Sequence, residues 1–515
     1  MYKEAITQEA LYELVQHQTD MLAQKDRQIA DLQERVDYLI RQKFASSSEK
    51  FPSNQPSLFD EGLEPTIQTE DAEIEKITVV HKKRGSRSTP PDSLPHIRVE
   101  HDLNEDEKLC SCGCSMRRIK EIISHQYDVI PAQFQVIENV RFVYGCSDKC
   151  GAKVKTSALR PQVLPRHQVT PSFLATIAVQ KFEDALPLER QAKIYKQRFG
   201  VKFTSTTFSE WMIKVSQLRL EPLINRLHAI QMQSGYIQAD ETTLQVLKEQ
   251  GKKAQSKSYI WLKASKHTDE NTEVSKSIVL MHYSPNRAST TAEKLFKGFS
   301  GYLQSDGYLG YNTVANQKEV TQLGCWAHAR RKFADILKSG VSDERSKAYA
   351  KEAVALIAKL YSIEKEIKEK PPNEKRAARE EKSAPIIEEI QAWMDKHLFA
   401  AQQIGGTIAK AFVYLNNQFD KLGIYLEDGR LAIDNNKAEN HIRPIALGRK
   451  NWLFATSTKG ATALANWYSV IETAKANNLD PFAYLSHLLT ELPIYQVESR
   501  DIDPLLPWNV QLAKS

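Results

Sequence analysis

The amino-acid sequence predicts an α/β protein whose largest domain is a mixed sheet flanked by helices and interrupted by a helical insertion. Two observations lead to this prediction. After Gly235, three strand-like segments are followed by a short helix and by further strands. Before Gly235, a heptad pattern, a cysteine cluster and two adjacent amphipathic segments predict an N-terminal coiled coil, a small zinc-ribbon-like segment and a helix-turn-helix-like helical domain. The length of 515 residues suits three or four domains.

Composition narrows the class of protein. Hydrophobic residues make up 41% of the chain and charged residues 26%, which is enough apolar material for several cores. The net charge of +6 suits a polyanionic partner and an ordinary enzyme equally well. The N-terminal residues are polar and no run of about 18 apolar residues occurs, so we expect no secretory signal, no membrane partner and a cytoplasmic, nucleoid-associated location.

Residues 1–45 carry an a/d heptad pattern that no Pro or Gly interrupts. The two stripes of the pattern are Val15, Leu22, Ile29 and Val36, and Leu11, Gln18, Lys25, Leu32 and Leu39. Such a pattern predicts a coiled coil and therefore a homo-oligomer. A single amphipathic helix packed on its own domain is the alternative.

Residues 46–104 are predicted to form a linker, because prolines and acidic residues replace the heptad pattern. The linker contains a basic strip in which Lys82, Lys83 and Arg84 are candidates for contact with phosphates or a minor groove. Ordinary solvated surface explains the strip equally well.

Five of the six cysteines lie within residues 105–160. Clustered thiols in a cytosolic protein indicate metal binding more than disulfides. Zinc takes four such ligands in a tetrahedron, and we predict a structural Zn²⁺ site. Its ligands are Cys110, Cys112, Cys146 and Cys150, with Cys114 as a substitute. A degenerate finger that folds without metal is the alternative.

Residues 161–232 are predicted to form a helical domain with a helix-turn-helix between Leu188 and Leu218. Gly200 suits the tight turn, and Thr204 begins a run of N-cap residues before the second apolar face. The pattern matches DNA-binding helix-turn-helix units in outline, although plain helical hairpins share it.

Residues 233–460 are predicted to form the catalytic domain. Strands are expected at 236–247, 258–264 and 277–283, a helix at about 291–296, a fourth strand at 301–306 and a fifth at 320–326. This order is that of a ribonuclease-H-like fold, in which the first and fourth strands are neighbours at the sheet centre. Asp240 and Asp306 would then lie side by side, whereas Glu241 would point to the opposite face of its strand.

A third carboxylate is expected after a helical insertion at about 341–415, a charged stretch broken by a pair of prolines. Asp434 or Asn435 suits the N-cap of a following helix, on which Glu439 and Arg443 share one face. That face would present Glu439 to a metal and Arg443 to a phosphate. Asp434 is close enough in sequence to compete for the role of Glu439.

The acids Asp240, Asp306 and Glu439 suit the chemistry of phosphodiester bonds. Attack by water or by a 3′-hydroxyl places negative charge on the attacking and leaving oxygens, and two Mg²⁺ ions about 4 Å apart stabilise both. Magnesium prefers hard oxygen ligands, so carboxylates rather than thiols would hold the two ions, with Mn²⁺ as a substitute. The joint pattern is stronger evidence than any one of the 64 Asp and Glu residues.

Six motifs give the chain a resemblance to the large transposase of the insertion-sequence 66 family over nearly its full length. They are ADET at 239–242, SDGY at 305–308, CWAHARRKF at 325–333, DNNKAEN at 434–440, RKNWLF at 449–454 and IETAK at 471–475. The resemblance implies that Asp240, Asp306 and Glu439 are the metal-binding triad of a DDE transposase. It also implies double-stranded DNA, as element ends and target, accessory element-encoded proteins, and a C-terminal helical tail at 461–515.

The same resemblance gives roles to the residues after the fifth strand. Trp326, His328, Arg330 and Arg331 would face the substrate, with His328 positioning a phosphate or the attacking group. A buried histidine that bonds a backbone carbonyl is the alternative for His328.

Arg449, Lys450 and Trp452 combine positive charge with an aromatic face, as the binding of a DNA end requires. Trp452 would suit a hydrophobic core equally well. The chain departs from the family at the cysteines, where the pattern is nearer C-x-x-C and Leu109 stands in place of the first thiol.

Two alternatives to a transposase are a catalytically silent DNA-binding regulator on the same scaffold and a structure-specific nuclease of the same fold. The presence of all three acids disfavours the regulator. The predicted coiled coil and DNA-binding segments favour the pairing of two DNA ends over simple cutting.

Overall fold

The structure is a computed structural model that describes residues 133–144, 155–268, 275–317, 319–339 and 343–512, together with the single residues 18, 21, 25 and 98. The chain divides into two compact units, Met1–Ala45 with Val140–Ser515, and Ser46–Asn139. The described residues of the second unit have irregular conformations. Most of the predicted coiled coil, the basic strip and the five clustered cysteines lie outside the described residues.

The larger unit is built on a mixed sheet. The strands of the described residues are β1 (Val143–Tyr144), β2 (Lys155–Thr156), β3 (Tyr236–Lys248), β4 (Lys257–Thr268), β5 (Ser275–Ser284), β6 (Gly301–Gln304), β7 (Val320–Leu323) and β8 (Ala455–Ser457). β1 and β2 pair with each other, and the other six form one sheet in the order β5-β4-β3-β6-β7, with β8 beside the far end of β3. β3, β4 and β5 are antiparallel, whereas β6 and β7 run parallel to β3.

The prediction that the first and fourth strands of this domain are neighbours is confirmed. β3 and β6 pair in parallel, with Gln238 opposite Gln304. Because side chains alternate along a strand, Ile237 and Ala239 enter an apolar cluster with Phe296 on one face of the sheet. The intervening polar residues of β3 therefore point to the other face, where the helices discussed below lie.

Helices cover both faces of this sheet. They are α1 (Pro171–Phe182), α2 (Leu188–Phe199), α3 (Ser205–Val215), α4 (Glu221–Gln231), α5 (Ser289–Leu295), α6 (Asn312–Ala315), α7 (Trp326–Ser339), α8 (Glu344–Glu366), α9 (Pro372–Ala378), α10 (Ala384–Ile404), α11 (Gly406–Gly423), α12 (Asn436–Trp452), α13 (Thr458–Ala476) and α14 (Pro481–Val497). Within the described ranges, none is long and apolar enough to cross a bilayer.

The predicted helix-turn-helix is observed as local structure. α2 ends before Gly200, which adopts a φ of 72° and donates its N–H to the carbonyl of Lys196. Thr204 then caps α3 by accepting a hydrogen bond from the Thr207 N–H at 3.0 Å. Gly200 thus ends α2 and Thr204 begins α3, as their positions in the sequence predict.

Helices α8 to α11 occupy residues 344–423, where the sequence predicts an insertion at about 341–415; we call this segment the helical insertion. With α7 they enclose a core of their own, whose largest buried members include Trp326, Phe333, Leu360, Met394 and Phe412. The insertion therefore folds on a hydrophobic centre separate from the cluster at Phe296 on the other face of the sheet.

Helix α13 closes the open edge of the sheet at β5. Ser469 and Thr473 of this helix and Asn477, the residue after its end, follow one another at four-residue spacing. Each exchanges hydrogen bonds with the backbone of β5. Thr473 Oγ1, for example, accepts from Val279 N at 3.1 Å and donates to Val279 O at 2.8 Å. The hydroxyl and amide groups of α13 thereby replace the missing neighbouring strand.

Candidate active site

Asp240 lies in β3, and Asp306 lies in the loop that follows β6. Because Gln238 and Gln304 are opposite each other, each acid stands two residues beyond a paired glutamine on neighbouring parallel strands. The structure thus brings together two acids that are 66 residues apart in sequence.

The strand predicted to end in Asp306 ends earlier, at Gln304. Gly307 adopts a φ of 87°, and Tyr308 donates its N–H to Asp306 Oδ1 at 2.9 Å. The chain therefore turns immediately after the acid, and residues 306–308 leave the sheet, whereas the Ser305 N–H still donates to the carbonyl of Leu323 at 3.3 Å. The predicted fifth strand likewise ends at Leu323, before Trp326.

Three buried amide side chains fix the segment that leads to Glu439. Gln304 Nε2 donates to the carbonyl of Ala432 at 2.9 Å, and Gln238 Nε2 donates to the carbonyl of Asp434 at 2.9 Å. Asn435 Nδ2 donates to the carbonyl of Ala239 at 2.8 Å. Since Asn435 immediately precedes α12, the first turn of the helix that carries Glu439 is bound to the strand that carries Asp240.

The carboxylates lie close enough to influence one another. Burial is the main reason that the pKa of Asp240 is raised to about 8, the charge of Glu241 is the next, and those of Asp306 and Glu439 act in the same direction. The Glu241 N–H, which donates to Asp240 Oδ1 at 2.8 Å, opposes them. A buried cluster of acids with this property is stabilised by a bound cation, because the cation favours the ionised carboxylates.

The residues fit a magnesium site. The donors are carboxylate oxygens, which Mg²⁺ prefers. Glu439 Oε1 is buried and makes no hydrogen bond within the described residues, so it is available to an ion. Its other oxygen, Oε2, accepts a hydrogen bond from Arg331 Nη2 at 3.0 Å.

His328 completes the surroundings of Glu439. Arg331 Nη1 lies 3.2 Å from His328 Nε2, and a guanidinium can only donate, so the proton of the neutral ring is on Nδ1. Nδ1 faces Glu439 Oε1 at 3.5 Å. Burial lowers the pKa of His328, and the charge of Glu439 opposes this. His328 thus borders an acid and an arginine instead of the backbone carbonyl of the alternative interpretation.

Cys325 also approaches this group, since Cys325, His328 and Glu439 offer ligand atoms within 4.8 Å of one another. His328 is a poor metal ligand there, because its Nε2 lies 3.2 Å from Arg331 Nη1 and its Nδ1 carries the proton of the neutral ring. Cys325 Sγ accepts the N–H of Asn435 at 3.2 Å. We interpret Cys325, His328 and Arg331 as neighbours that orient Glu439, and not as a second metal site.

Arg287 belongs to the site although no sequence motif marks it. Glu241 points to the opposite face from Asp240, as strand alternation predicts, and accepts Arg287 Nε at 2.6 Å and the Tyr311 hydroxyl at 2.7 Å. The Arg287 guanidinium stacks on the Tyr308 ring at 3.6 Å and lies 3.9 Å from Asp306 Oδ2. The Arg287 guanidinium therefore places a positive charge beside Asp306.

Comparisons with known proteins identify the chain's relatives. Residues 166–463 match the profile described as "Transposase IS66 family". The chain belongs to the IS66 transposase family. Residues 469–508 match the IS66 C-terminal element, 107–151 the zinc-finger binding domain of transposase IS66, and 31–99 a domain described as "Transposase C of IS166 homeodomain". The family resemblance predicted from the motifs is thus confirmed.

Relatives from Sinorhizobium fredii cover nearly the whole IS66-family chain. "Uncharacterized protein y4jD" is 30% identical over 94% of this chain and 96% of its own length. "Uncharacterized protein y4qI" is 30% identical over 94% of this chain and 89% of its own length. "Uncharacterized protein y4hP" is 29% identical over 88% and 82%, respectively.

Within the IS66 motif at 325–333, the expectation that Trp326 faces a substrate is wrong. Trp326 is completely buried, and its Nε1 donates to the carbonyl of Leu422 at 2.9 Å. It is the first residue of α7, which leaves the sheet through the core of the insertion. Arg330 and Arg331 follow on the same helix and are partly exposed.

Of the other residues predicted to bind DNA, Arg443 and Lys450 are exposed on α12. Arg449 Nη1 donates to Thr243 Oγ1 at 2.8 Å, which connects α12 to β3. Trp452 is partly buried, with Lys181 Nζ 5.5 Å from its ring. Arg449 and Trp452 therefore have contacts inside the protein in addition to any outside it.

An open groove of about 590 Å³ lies between the far ends of β3 and α12. Its lining residues are Gln245, Leu247, Ala446, Arg449, Lys450, Leu453 and Phe454. β3 and α12 also carry Asp240 and Glu439, so the groove and the acids share the same two elements. Its mixture of cations with exposed Leu453 and Phe454 suits a nucleic-acid strand.

Proposed function

We propose that the protein is a DDE transposase that cuts DNA at the ends of an insertion sequence and joins the freed 3′-hydroxyl to target DNA. The observation that carries this proposal is the convergence of Asp240, Asp306 and Glu439, produced by the β3–β6 register and by the bond from Asn435 to Ala239. The strand order, with three antiparallel strands followed by two parallel ones, supports a ribonuclease-H-like fold.

Asp240, Asp306 and Glu439 would hold two Mg²⁺ ions, or Mn²⁺ in their place. When bound, such ions stabilise negative charge on the attacking and leaving oxygens of a phosphodiester. The chain's own residues arrange the ligands. Arg331 holds one oxygen of Glu439 and leaves the other free, while the N–H groups of Glu241 and Tyr308 orient Asp240 and Asp306.

The attacking groups are water and then the DNA 3′-hydroxyl, without a covalent enzyme intermediate. Cys325 Sγ lies within 4.8 Å of a Glu439 carboxylate oxygen, but it is poorly suited to attack. Burial raises the pKa of its thiol to about 12, and the residue is 1% exposed. A protonated, enclosed thiol does not reach a phosphate.

The remaining parts of the chain complete the proposal. The zinc-finger match supports a structural Zn²⁺ bound by four of the five clustered cysteines. The heptad pattern supports self-association, which would bring two element ends together. Double-stranded DNA is the substrate, bound in part along the groove at Arg449 and Lys450, and accessory element-encoded proteins are further partners.

The test is a reaction of purified protein with Mg²⁺ and labelled element-end DNA. We expect the wild type to cut and join, and Glu439→Gln to do neither while still binding DNA. Equal joining by both proteins would overturn the assignment of Glu439. Cutting without joining would favour the structure-specific nuclease, and binding without cutting would favour the silent regulator.

A further inference from the structure

The last helix of the insertion, α11, lies along the loop that carries Asp306. Tyr414 donates its hydroxyl to the backbone carbonyl of Asp306 at 2.8 Å. One turn later, the Gln418 side chain fills the space beside Gly307, where an added Cβ would come within 3.0 Å of it. Lys421 Nζ then donates to Gln322 Oε1 of β7 at 2.8 Å. The spacing of four and three residues places all three side chains on one helical face.

A second part of the insertion holds the segment that enters α12. Arg379 is 2% exposed, pairs with Glu364 at 2.7 Å and donates to the backbone carbonyls of Tyr425, Asp428 and Leu431. The guanidinium thus holds the segment that leads to Ile433, because it satisfies three backbone carbonyls, two of them in buried hydrogen bonds.

Tyr361 of α8 acts at the beginning of α12 itself. It donates its hydroxyl to Asp434 Oδ2 at 3.0 Å. The other Asp434 oxygen accepts the N–H of Asn436 at 3.1 Å, at the first turn of α12. Asp434 is therefore occupied in shaping the helix start, and Glu439 lies just over one turn further along.

The three acids differ in how the sheet supports them. Asp240 is in β3, which is hydrogen-bonded to strands on both sides. Asp306 is beyond the end of β6, and Glu439 is on a helix reached through an irregular segment. Asp306 and Glu439, the two acids outside the strands, are also the two whose segments the insertion contacts.

We propose that the helical insertion is the positioning element of the metal site, and that Tyr414 and Tyr361 are positioning residues acting through the Asp306 loop and the start of α12. This inference rests on the proposed function. Because each hydroxyl acts on the placement of a ligand and not on DNA, its removal should change the metal requirement more than the maximal rate. Loss of a partner that orients a metal ligand typically weakens metal binding by about 10–100-fold.

The experiment compares full-length wild type, Tyr414→Phe, Tyr361→Phe and a control, Tyr349→Phe. Tyr349 is also in the insertion, where its ring packs against His397 and Phe412. End cleavage is measured over a range of Mg²⁺ concentrations. Mn²⁺ binding without DNA is measured by electron paramagnetic resonance, with Asp240→Asn defining the signal from the candidate site.

We expect Tyr414→Phe to raise the half-saturating Mg²⁺ concentration about 10-fold, to recover near wild-type kcat at saturating metal, and to bind Mn²⁺ correspondingly more weakly. Tyr361→Phe should behave similarly, and Tyr349→Phe should match the wild type. Unchanged metal dependence and Mn²⁺ binding in both test variants would overturn the inference. So would an equal change in the control, which would indicate general loosening of the insertion.

Failure of the proposed function gives a different result. In that case the wild type itself would neither cut element ends nor lose Mn²⁺ binding on Asp240→Asn substitution. If the wild type is active and neither Tyr414→Phe nor Tyr361→Phe changes its metal requirement, only the role of the insertion is overturned.

Discussion

Asn435 donates its side-chain amide to the carbonyl of Ala239 at 2.8 Å, across 196 residues of sequence. Ala239 precedes Asp240, and Asn435 precedes the helix that carries Glu439. One buried hydrogen bond therefore joins the backbones that present two of the three candidate metal ligands. Its length and burial make it a sensitive point at which to test the site.

We expect Asn435→Ala to weaken metal binding by about 10–100-fold, because Glu439 would lose its fixed distance from β3. The unpaired carbonyl of Ala239 would also cost about 1–3 kcal/mol of folding free energy. Metal titration and urea unfolding measure the two effects. Asn440→Ala, at an exposed position of the same helix, is the control. A wild-type metal requirement in Asn435→Ala would contradict the role of this bond.

The second expectation concerns Asp240 and pH. The pKa of Asp240 in the folded chain is about 8, against an ordinary value of 3.8, so the folded state binds more protons than the unfolded state between these values. Stability of the metal-free protein therefore falls as the pH rises through this window. Asp240→Asn should melt at a higher temperature than the wild type near pH 8 and at a similar temperature near pH 4.

Mg²⁺ should reverse this difference, because an ion that binds only the folded state raises its melting temperature. We expect a clear increase for the wild type near pH 8 and little for Asp240→Asn. Thermal melting with Mg²⁺ and with a chelator measures both. A metal-free Asp240→Asn protein less stable than the wild type near pH 8 would contradict the placement of Asp240 among unneutralised acids.

Arg287→Met should leave Glu241 without its cation. The Glu241 side chain is only 2% exposed, and burial already raises its pKa, so removal of Arg287 should raise this pKa further. Since the guanidinium is about one-third exposed, we expect a loss of roughly 1–3 kcal/mol near neutral pH. The loss should shrink at acidic pH, where Glu241 is protonated.

Urea unfolding of Arg287→Met at several pH values measures this dependence. Adding Glu241→Gln to Arg287→Met should recover much of the stability, because no charge is then left buried. A loss that is independent of pH, or a double variant as unstable as Arg287→Met, would show that Arg287 acts mainly by packing on Tyr308.

Thr473→Val should weaken the attachment of α13 to the edge strand β5. The substitution keeps the shape of the side chain but removes the hydroxyl that bonds both polar groups of Val279. We expect a loss of about 1–3 kcal/mol and faster hydrogen exchange at the Val279 amide. Thr490→Val in α14 is a matched control with a smaller expected effect, because the exposed Thr490 hydroxyl donates only to the backbone carbonyl of Ser486. Equal effects of the two substitutions would contradict the special role of Thr473.

Local patterns were sufficient to predict the features that depend on neighbouring residues. Strand alternation and strand order predicted the faces of Asp240 and Glu241 and the pairing of β3 with β6. Gly200 and Thr204 marked a helix end and a helix start, because each residue satisfies a backbone requirement on its own.

Long-range side-chain contacts could not be predicted from local sequence patterns. The Tyr414 hydroxyl meets a carbonyl 108 residues away, and Arg287 meets Glu241 at a distance of 46 residues. Tyr and Arg are common residues, and their partners depend on the tertiary arrangement of elements. The prediction that Trp326 faces a substrate was wrong for the same reason, because its motif does not show that α7 begins inside a hydrophobic core.

The protection of the β5 edge by α13 has a consequence for the nascent chain. About 185 residues separate Ser284, the end of the edge strand, from Ser469, the first residue that protects it. At roughly 5–20 residues per second, a ribosome needs about 10–40 s to make that stretch. Throughout this interval the edge can pair with another nascent chain, so synthesis of the final helices ends a period of exposure to aggregation and chaperone capture.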